Sequence, residues 1–188
     1  MSTGRPLRAD AQKNYDSLIK VARNHLSQQG VATSLDAIAK EAGVGAGTLY
    51  RHFPDRDHLI FAALNTQGEE LREAAATIRT STTAEDQLEA WLIEVEKYFS
   101  SYHGLPDSLA KALDKGTDTP LAITCQEIIE VTDAFLKDAQ QLNTARADIT
   151  AQDLFEATLM IAWLSARVPG QKNGLEAIRN LCRYGYRV

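Results

Sequence analysis

The densest chemistry in this 188-residue chain lies at Thr48, Tyr50, Arg51 and His52, which follow the small residues Ala46 and Gly47. On a helix these six share one polar face, while Leu49 and Phe53, four apart, share the opposite one. A short helix showing a hydroxyl, a phenol, a guanidinium and an imidazole to solvent fits the major groove of duplex DNA, which is wide enough to admit it. The competing reading is a pair of packed core helices with no groove to enter. The glycine-rich run GVGAG at 43–47 follows a helical pattern rather than a strand, so it fails as a nucleotide-cradling loop. The sequence offers no G-x-S-x-G turn and no His/Cys/Asp cluster at ligand spacing, so it reads as a non-enzyme with no metal and no cofactor.

A helix needs a partner to hold its polar face outward. Leu35, Ile38, Ala39 and Ala42 fall at i, i+3, i+4 and i+7 and form one apolar stripe just upstream. Thr33 with Asp36 three residues on reads as the capping-box start of that helix. Gly43 ends it, where a left-handed backbone costs least without a Cβ. Val44 plugs the space between the two helices, the second runs from Gly45 or Ala46 to His52, and Pro54 stops it. A small residue (Ala39), a glycine four later and an apolar residue six beyond that (Leu49) is the helix-turn-helix spacing.

At this point the chain resembles the TetR family of bacterial transcriptional regulators. The matching residues are Ala39, Gly43, Val44, Gly47-Thr48-Leu49-Tyr50, His52-Phe53 and Arg56, within the first third of the chain. The resemblance implies a homodimer whose two heads enter adjacent major grooves of a palindromic double-stranded operator, most simply as a repressor. It implies phosphate contacts from Tyr50, His52 and Arg56, which fix orientation without carrying sequence information. Thr33, at a helix N-terminus, adds another through free backbone N–H groups. Thr48 is assigned to a thymine methyl or a phosphate, and Arg51 to guanine, whose O6 and N7 match its fork. The chain departs from the commoner family pattern at Gly45-Ala46, where a serine cap and a long polar residue are usual. Ala46 offers only van der Waals contact and Gly47 only close approach, so base readout leans on Arg51, Thr48 and DNA shape.

The net charge of −5 is unevenly placed. Residues 1–58 hold eight Lys/Arg against six Asp/Glu, whereas the remainder holds 12 against 19. A mildly basic head on an acidic body suits local phosphate contact with another task elsewhere. Composition is that of a soluble globule, at 44% hydrophobic and 24% charged residues. No apolar run approaches the ~20 residues of a membrane span, and the polar N-terminus lacks a signal-peptide core, so the expected location is the cytoplasm with no membrane partner. Cys125 and Cys182 sit inside apolar helical patterns and read as small buried hydrophobes.

The rest of the chain reads as helices throughout, hence an all-α fold with a three-helix head at 1–55 and a helical bundle at 56–188. Residues 1–9 read as a mobile arm with Arg5 and Arg8 beside Pro6, and the first helix as 10–29. A fourth helix capped by Asp55 is expected to run unbroken to about Thr80 and leave the head. Further helices are expected at 84–102, with Thr83 and Asp86 as its capping box, and at 106–114, ended by Lys115-Gly116. Another follows from Thr119-Pro120 to a loop at 143–148, and the last two cover 151–168 and 174–186, with a break at Pro169-Gly170.

Resemblance further implies that the body binds a small-molecule effector that moves the heads out of register. The candidate lining is Trp91, Tyr98, Phe99, Tyr102, His103, Ile128 and Phe135, joined by Met160 and Trp163. The last two helices, with small Ala157, Ala162 and Ala177, are expected to pair across a two-fold as a four-helix bundle. The alternative function is a helical ligand-binding or interaction protein without operator binding.

Overall fold

The computed structural model describes residues 4–114, 118–167 and 172–187. Ten helices are present among them: α1 Gly4–Gln29, α2 Leu35–Glu41, α3 Ala46–His52, α4 Arg56–Ala63, α5 Asn65–Ser81, α6 Gln87–Phe99, α7 Leu105–Asp114, α8 Pro120–Gln141, α9 Ala151–Arg167 and α10 Lys172–Tyr186. The fold is all-α, and the one extended contact among the described residues is an isolated bridge between Ala145 and Arg187.

Two apolar cores divide the chain. The smaller joins Leu18 and Ala22 of α1, Ile38 and Ala39 of α2, Leu49 of α3, Phe53 and Leu59. The larger gathers α5 to α9 around Trp91, Phe99, Phe135 and Phe155, and it also takes Leu26 of α1 and Ile60 of α4. Both α1 and α4 therefore serve two cores, and in α4 the change falls between neighbours Leu59 and Ile60. Successive residues on a helix point ~100° apart, so one helix wedged between two cores meets both.

Several boundaries differ from the sequence expectation. Helix α1 begins at Gly4, so residues 4–9 of the expected arm are helical. Pro6 is tolerated there because a first-turn N–H has no intrahelical partner to lose. The expected long fourth helix is two, broken at Leu64. Arg23 of α1 explains the break. Its Nε donates to the Ala63 carbonyl at 3.1 Å, and its Nη2 donates at 2.9 Å to Oγ1 of Thr66, in the first turn of α5. Helix α6 starts at Gln87, three residues late, because the Thr83 hydroxyl spends itself on the Asp86 carboxylate (2.7 Å) instead of a backbone N–H. It also stops at Phe99, three residues early. At Thr150 and Asp153 the reciprocal box does form, at 2.8 and 3.2 Å, and α9 follows it directly. The helix breaks expected at Lys115-Gly116 and Pro169-Gly170 fall outside the described residues.

Candidate nucleic-acid interface

The turn that aims α3 is set by Gly43, whose φ of +71° is left-handed. Val44 N–H donates to the Ala39 carbonyl (3.0 Å) and Gly43 N–H to the Lys40 carbonyl (3.2 Å). These two bonds are the Schellman pair, which satisfies carbonyls that the end of α2 leaves open. Ser17 of α1 takes a third, with its hydroxyl 3.2 Å from the Ala42 carbonyl. Val44 then packs half-buried into the small core beside Leu49, which is buried. With Leu49 and Phe53 turned inward, the opposite face of α3 must turn outward.

That face carries the expected set. Ala46, Gly47, Tyr50 and Arg51 are exposed, and Thr48 and His52 are half-buried. Tyr50, 47% exposed, stands with its ring in solvent. Arg51 lies along its own helix, with Nε 3.4 Å from the Gly47 carbonyl and Nη2 3.4 Å from Thr48 Oγ1. Contacts this long are readily exchanged for a base edge. His52 is held edge-on to Tyr15 of α1 at 5.8 Å, which fixes the direction of its ring. Gly45 caps α3 without a side-chain bond.

Two expected contacts sit elsewhere. Thr33 is not the cap of α2 and is only 5% exposed. Its hydroxyl donates to Gln29 Oε1 (3.1 Å) and lies 3.0 Å from His25 Nδ1. The cap is Ser34, whose Oγ accepts from Ala37 N–H at 3.3 Å. The resemblance implies a phosphate beside Arg56, which opens α4 against the helix dipole. Instead its Nη1 donates to the Val31 carbonyl at 2.6 Å and the Thr33 carbonyl at 2.5 Å, so two carbonyls of the α1–α2 turn supply the negative partner.

His25 is a further residue of the head, one that its type and position in the sequence did not single out. It is buried, and its Nε2 meets Glu41 Oε2 at 2.8 Å while its Nδ1 meets Thr33. A carboxylate only accepts, so Nε2 carries a proton and the imidazole bolts α1 to α2. The apolar stripe around it was the one available signal: a histidine among Leu18, Ala22 and Leu26 must find polar partners when it is buried.

Comparison with known proteins decides what this head is. A model of bacterial regulatory proteins of the TetR family matches residues 18–63, and a model of the C-terminal domain of SbtR-like transcriptional regulators matches residues 83–188. The chain belongs to the TetR family. A TetR transcriptional regulator from Streptomyces coelicolor is 31% identical, with 92% of this chain and 97% of that one covered at a TM-score of 0.60. A TetR regulatory protein from Mycobacterium vanbaalenii is 27% identical, with 97% and 100% covered at a TM-score of 0.51. An HTH-type transcriptional regulator of Staphylococcus aureus is 41% identical over 56 residues, which is 29% of this chain and 30% of that relative's length. TetR-family proteins are DNA-binding transcriptional regulators rather than enzymes, and α2 and α3 are this chain's helix-turn-helix.

In this TetR-family body, a cavity of about 740 Å³ opens between α5, α6 and α8. Three of the expected lining residues, Trp91, Tyr98 and Ile128, face it. The other six do not. Phe99 is fully buried against Phe155 at 5.0 Å, and Phe135 stacks on Trp91 at 5.5 Å behind the wall. Tyr102 is buried, with its hydroxyl 3.3 Å from Gln67 Nε2. His103 acts through its backbone: its carbonyl accepts from Val31 N–H at 2.9 Å, which ties the α6–α7 turn to the α1–α2 turn. A side chain at Gly30 would strike that carbonyl, so the close approach depends on Gly30. Met160 and Trp163 lie on the outer face of α9, where Trp163 Nε1 donates to Asp107 at 3.0 Å. Helical periodicity marks which face turns inward, but not which inward positions are left with space before them.

The cysteines differ. Cys125 is fully buried, and burial pushes its thiol up to about 12. Cys182 is half-buried on α10, and burial raises its thiol as well. Both are free, and neither has the electropositive, exposed setting of a reactive thiol.

Proposed function

We propose that this protein is a cytoplasmic repressor that binds a palindromic operator as a homodimer and is released when a small molecule enters the α5–α6–α8 cavity. The observation that carries it is the outer edge of α3: exposed Tyr50 and Arg51, with half-buried Thr48 beside them, on a helix whose angle is fixed by the Gly43 turn. In this reading α3 lies in the major groove, with Arg51 on guanine and Thr48 on a thymine methyl or phosphate. Ala46 and Gly47 allow close approach, and Tyr50 and His52 take phosphates. The N-terminus of α2, now at Ser34, takes the phosphate first assigned to Thr33, whose side chain is committed inside. Arg56 serves the interface by holding the turn that carries Ser34.

Dimerisation through α9 and α10 is supported by the apolar side chains they leave outside, Met160, Trp163, Leu181 and Tyr184. Release is supported by the Val31–His103 bond and by the shared core residue Ile60, both of which join head to body. For release, the effector must prefer the head spacing that does not fit DNA. No helix among the described residues is long and apolar enough to cross a membrane.

The test is binding of the purified chain to its own upstream DNA over a salt series. Tight binding to one palindromic segment, with log K falling linearly in log [salt], is the expected outcome. Arg51→Ala should cost roughly 1–3 kcal/mol and relax the choice at one base pair per half-site. Tyr50→Phe should weaken binding evenly across sequences. The helical ligand-binding alternative is favoured instead if no segment is preferred at any salt.

A further inference from the structure

The cavity between α5, α6 and α8 has an apolar floor made by Leu71, Ala75, Trp91, Ile128 and Val131. Most polar groups at its mouth are already committed. Arg79 is paired with Asp138 at 2.8 Å, and its guanidinium carbon sits 4.2 Å over the Phe135 ring. Thr124 donates to the Pro120 carbonyl at 3.0 Å, whereas Glu130 is held only by a 3.4 Å contact from the neutral Gln126 amide and keeps its charge. The Trp91 indole N–H is bound to Thr132 at 2.8 Å. Arg72, Glu127 and the Tyr98 hydroxyl remain, none with an ion pair or hydrogen bond among the described residues. Arg72 curls back over α5, with Nη1 3.7 Å from the space a side chain at Gly68 would take. Burial raises the Tyr98 phenol above its usual pKa, so it stays a neutral O–H donor; Arg72 pulls the other way and Glu127 adds to the rise. Both charges therefore act at the phenol.

The open groups on the α5 and α6 side of this mouth, Arg72 and Tyr98, are donors, and the carboxylates Glu127 and Glu130 lie on the α8 side. A carboxylate would be met by the Arg72 fork and the Tyr98 proton together. An ammonium would be met by Glu127 and the loosely held Glu130 on the α8 side, with Arg72 opposing it. We propose that the cavity takes an amphipathic carboxylic acid, its apolar body over Trp91 and Ile128 and its carboxylate between Arg72 and the Tyr98 hydroxyl. The effect on DNA rests on the reading of this cavity as the effector site, whereas the binding itself does not.

Calorimetric titration of the full chain with decanoate, decan-1-ol and decylamine tests it, since the three share a body and differ in head. Decanoate should bind about tenfold tighter than decanol. Arg72→Gln should abolish that advantage and leave decanol unchanged, and Tyr98→Phe should reduce it about threefold. Ile128→Trp, which fills the floor, should remove binding of all three. Arg72 is exposed, so an unchanged melting temperature certifies the fold of its variant. The proposal is overturned if decanoate has no advantage, if the advantage survives Arg72→Gln, or if decylamine binds best and loses that rank in Glu127→Gln. Absence of binding by all three probes, or binding that survives Ile128→Trp, overturns it too. Operator release is read separately. Decanoate that binds through Arg72 without loosening DNA leaves the ligand class standing and defeats the effector reading. Release that disappears in Arg72→Gln supports both.

Discussion

Arg56 gives one nitrogen, Nη1, to two carbonyls of the α1–α2 turn. A charged donor bridging two backbone acceptors is worth more than a neutral bond, and its removal leaves half-buried carbonyls without partners. Arg56→Ala should therefore lower stability by about 2 kcal/mol in the absence of DNA, read as a drop in melting temperature. A residue acting only on phosphate would leave the DNA-free melt unchanged and would show itself only as a smaller salt slope. The same residue shows what a sequence hides. Its motif position was legible, but its partners were not, because Val31 and Thr33 lie 25 and 23 residues away and are met through backbone. Thr33 and Ser34 teach a related point. The acid at Asp36 made Thr33 the better cap on paper, but the buried His25 claimed the Thr33 hydroxyl and left the cap to Ser34. Type and spacing rank neighbouring caps only until a third residue competes for one of them.

Helix α2 and its turn were legible almost to the residue because their cause is local. Gly43 must be left-handed, the two Schellman bonds close within five residues, and Ala39 and Leu49 are spaced to cross closely. A side chain at Gly43 would meet nothing within 4 Å, so the constraint there is backbone angle and not space. Gly43→Ala should then cost about 1–2 kcal/mol, the cost of a left-handed L-residue, while Gly43→Asn should cost less because asparagine visits that region. Thermal melts of the two variants give the order, and equal losses would instead point to a lost contact. The break at Leu64 had no such local cause. Asn65, Thr66 and Gly68 are only weak helix formers and the stretch from Arg56 to Ser81 holds no proline, so the interruption needs Arg23, 40 residues upstream, taking the Ala63 carbonyl. Arg23→Ala should relieve that competition and let α4 and α5 join. Amide exchange would report this as new protection at Gln67, whose N–H is the natural partner of the Ala63 carbonyl in a continuous helix.

On the scale of the whole molecule, the surface is divided by task. Residues 1–58 carry the small excess of positive charge, and the excess acid lies in the body. Helix α10 is fastened to α6 by a row of ion pairs one helical turn apart: Arg179 with Glu96 at 2.6 Å, Arg183 with Glu89, and Arg187 with Asp86 at 3.2 Å. That side of α10 is polar and faces its own chain. Its other side holds Leu181 and Tyr184, 73% and 75% exposed, and α9 adds Met160, 59% exposed. A monomer gains nothing from showing these side chains to water, and the proposed two-fold contact through α9 and α10 would cover them. Leu181→Glu with Tyr184→Glu should therefore leave the monomer fold intact, since neither side chain packs within it. It should convert the proposed dimer to monomer by light scattering at micromolar concentration, because like charges would face each other across the axis. Operator affinity should fall by well over tenfold in the same variant, because a single head loses the second half-site. A variant that stays dimeric would move the interface away from α10. One that becomes monomeric yet binds the operator undiminished would mean that each head reads DNA alone, and the palindrome would lose its physical basis.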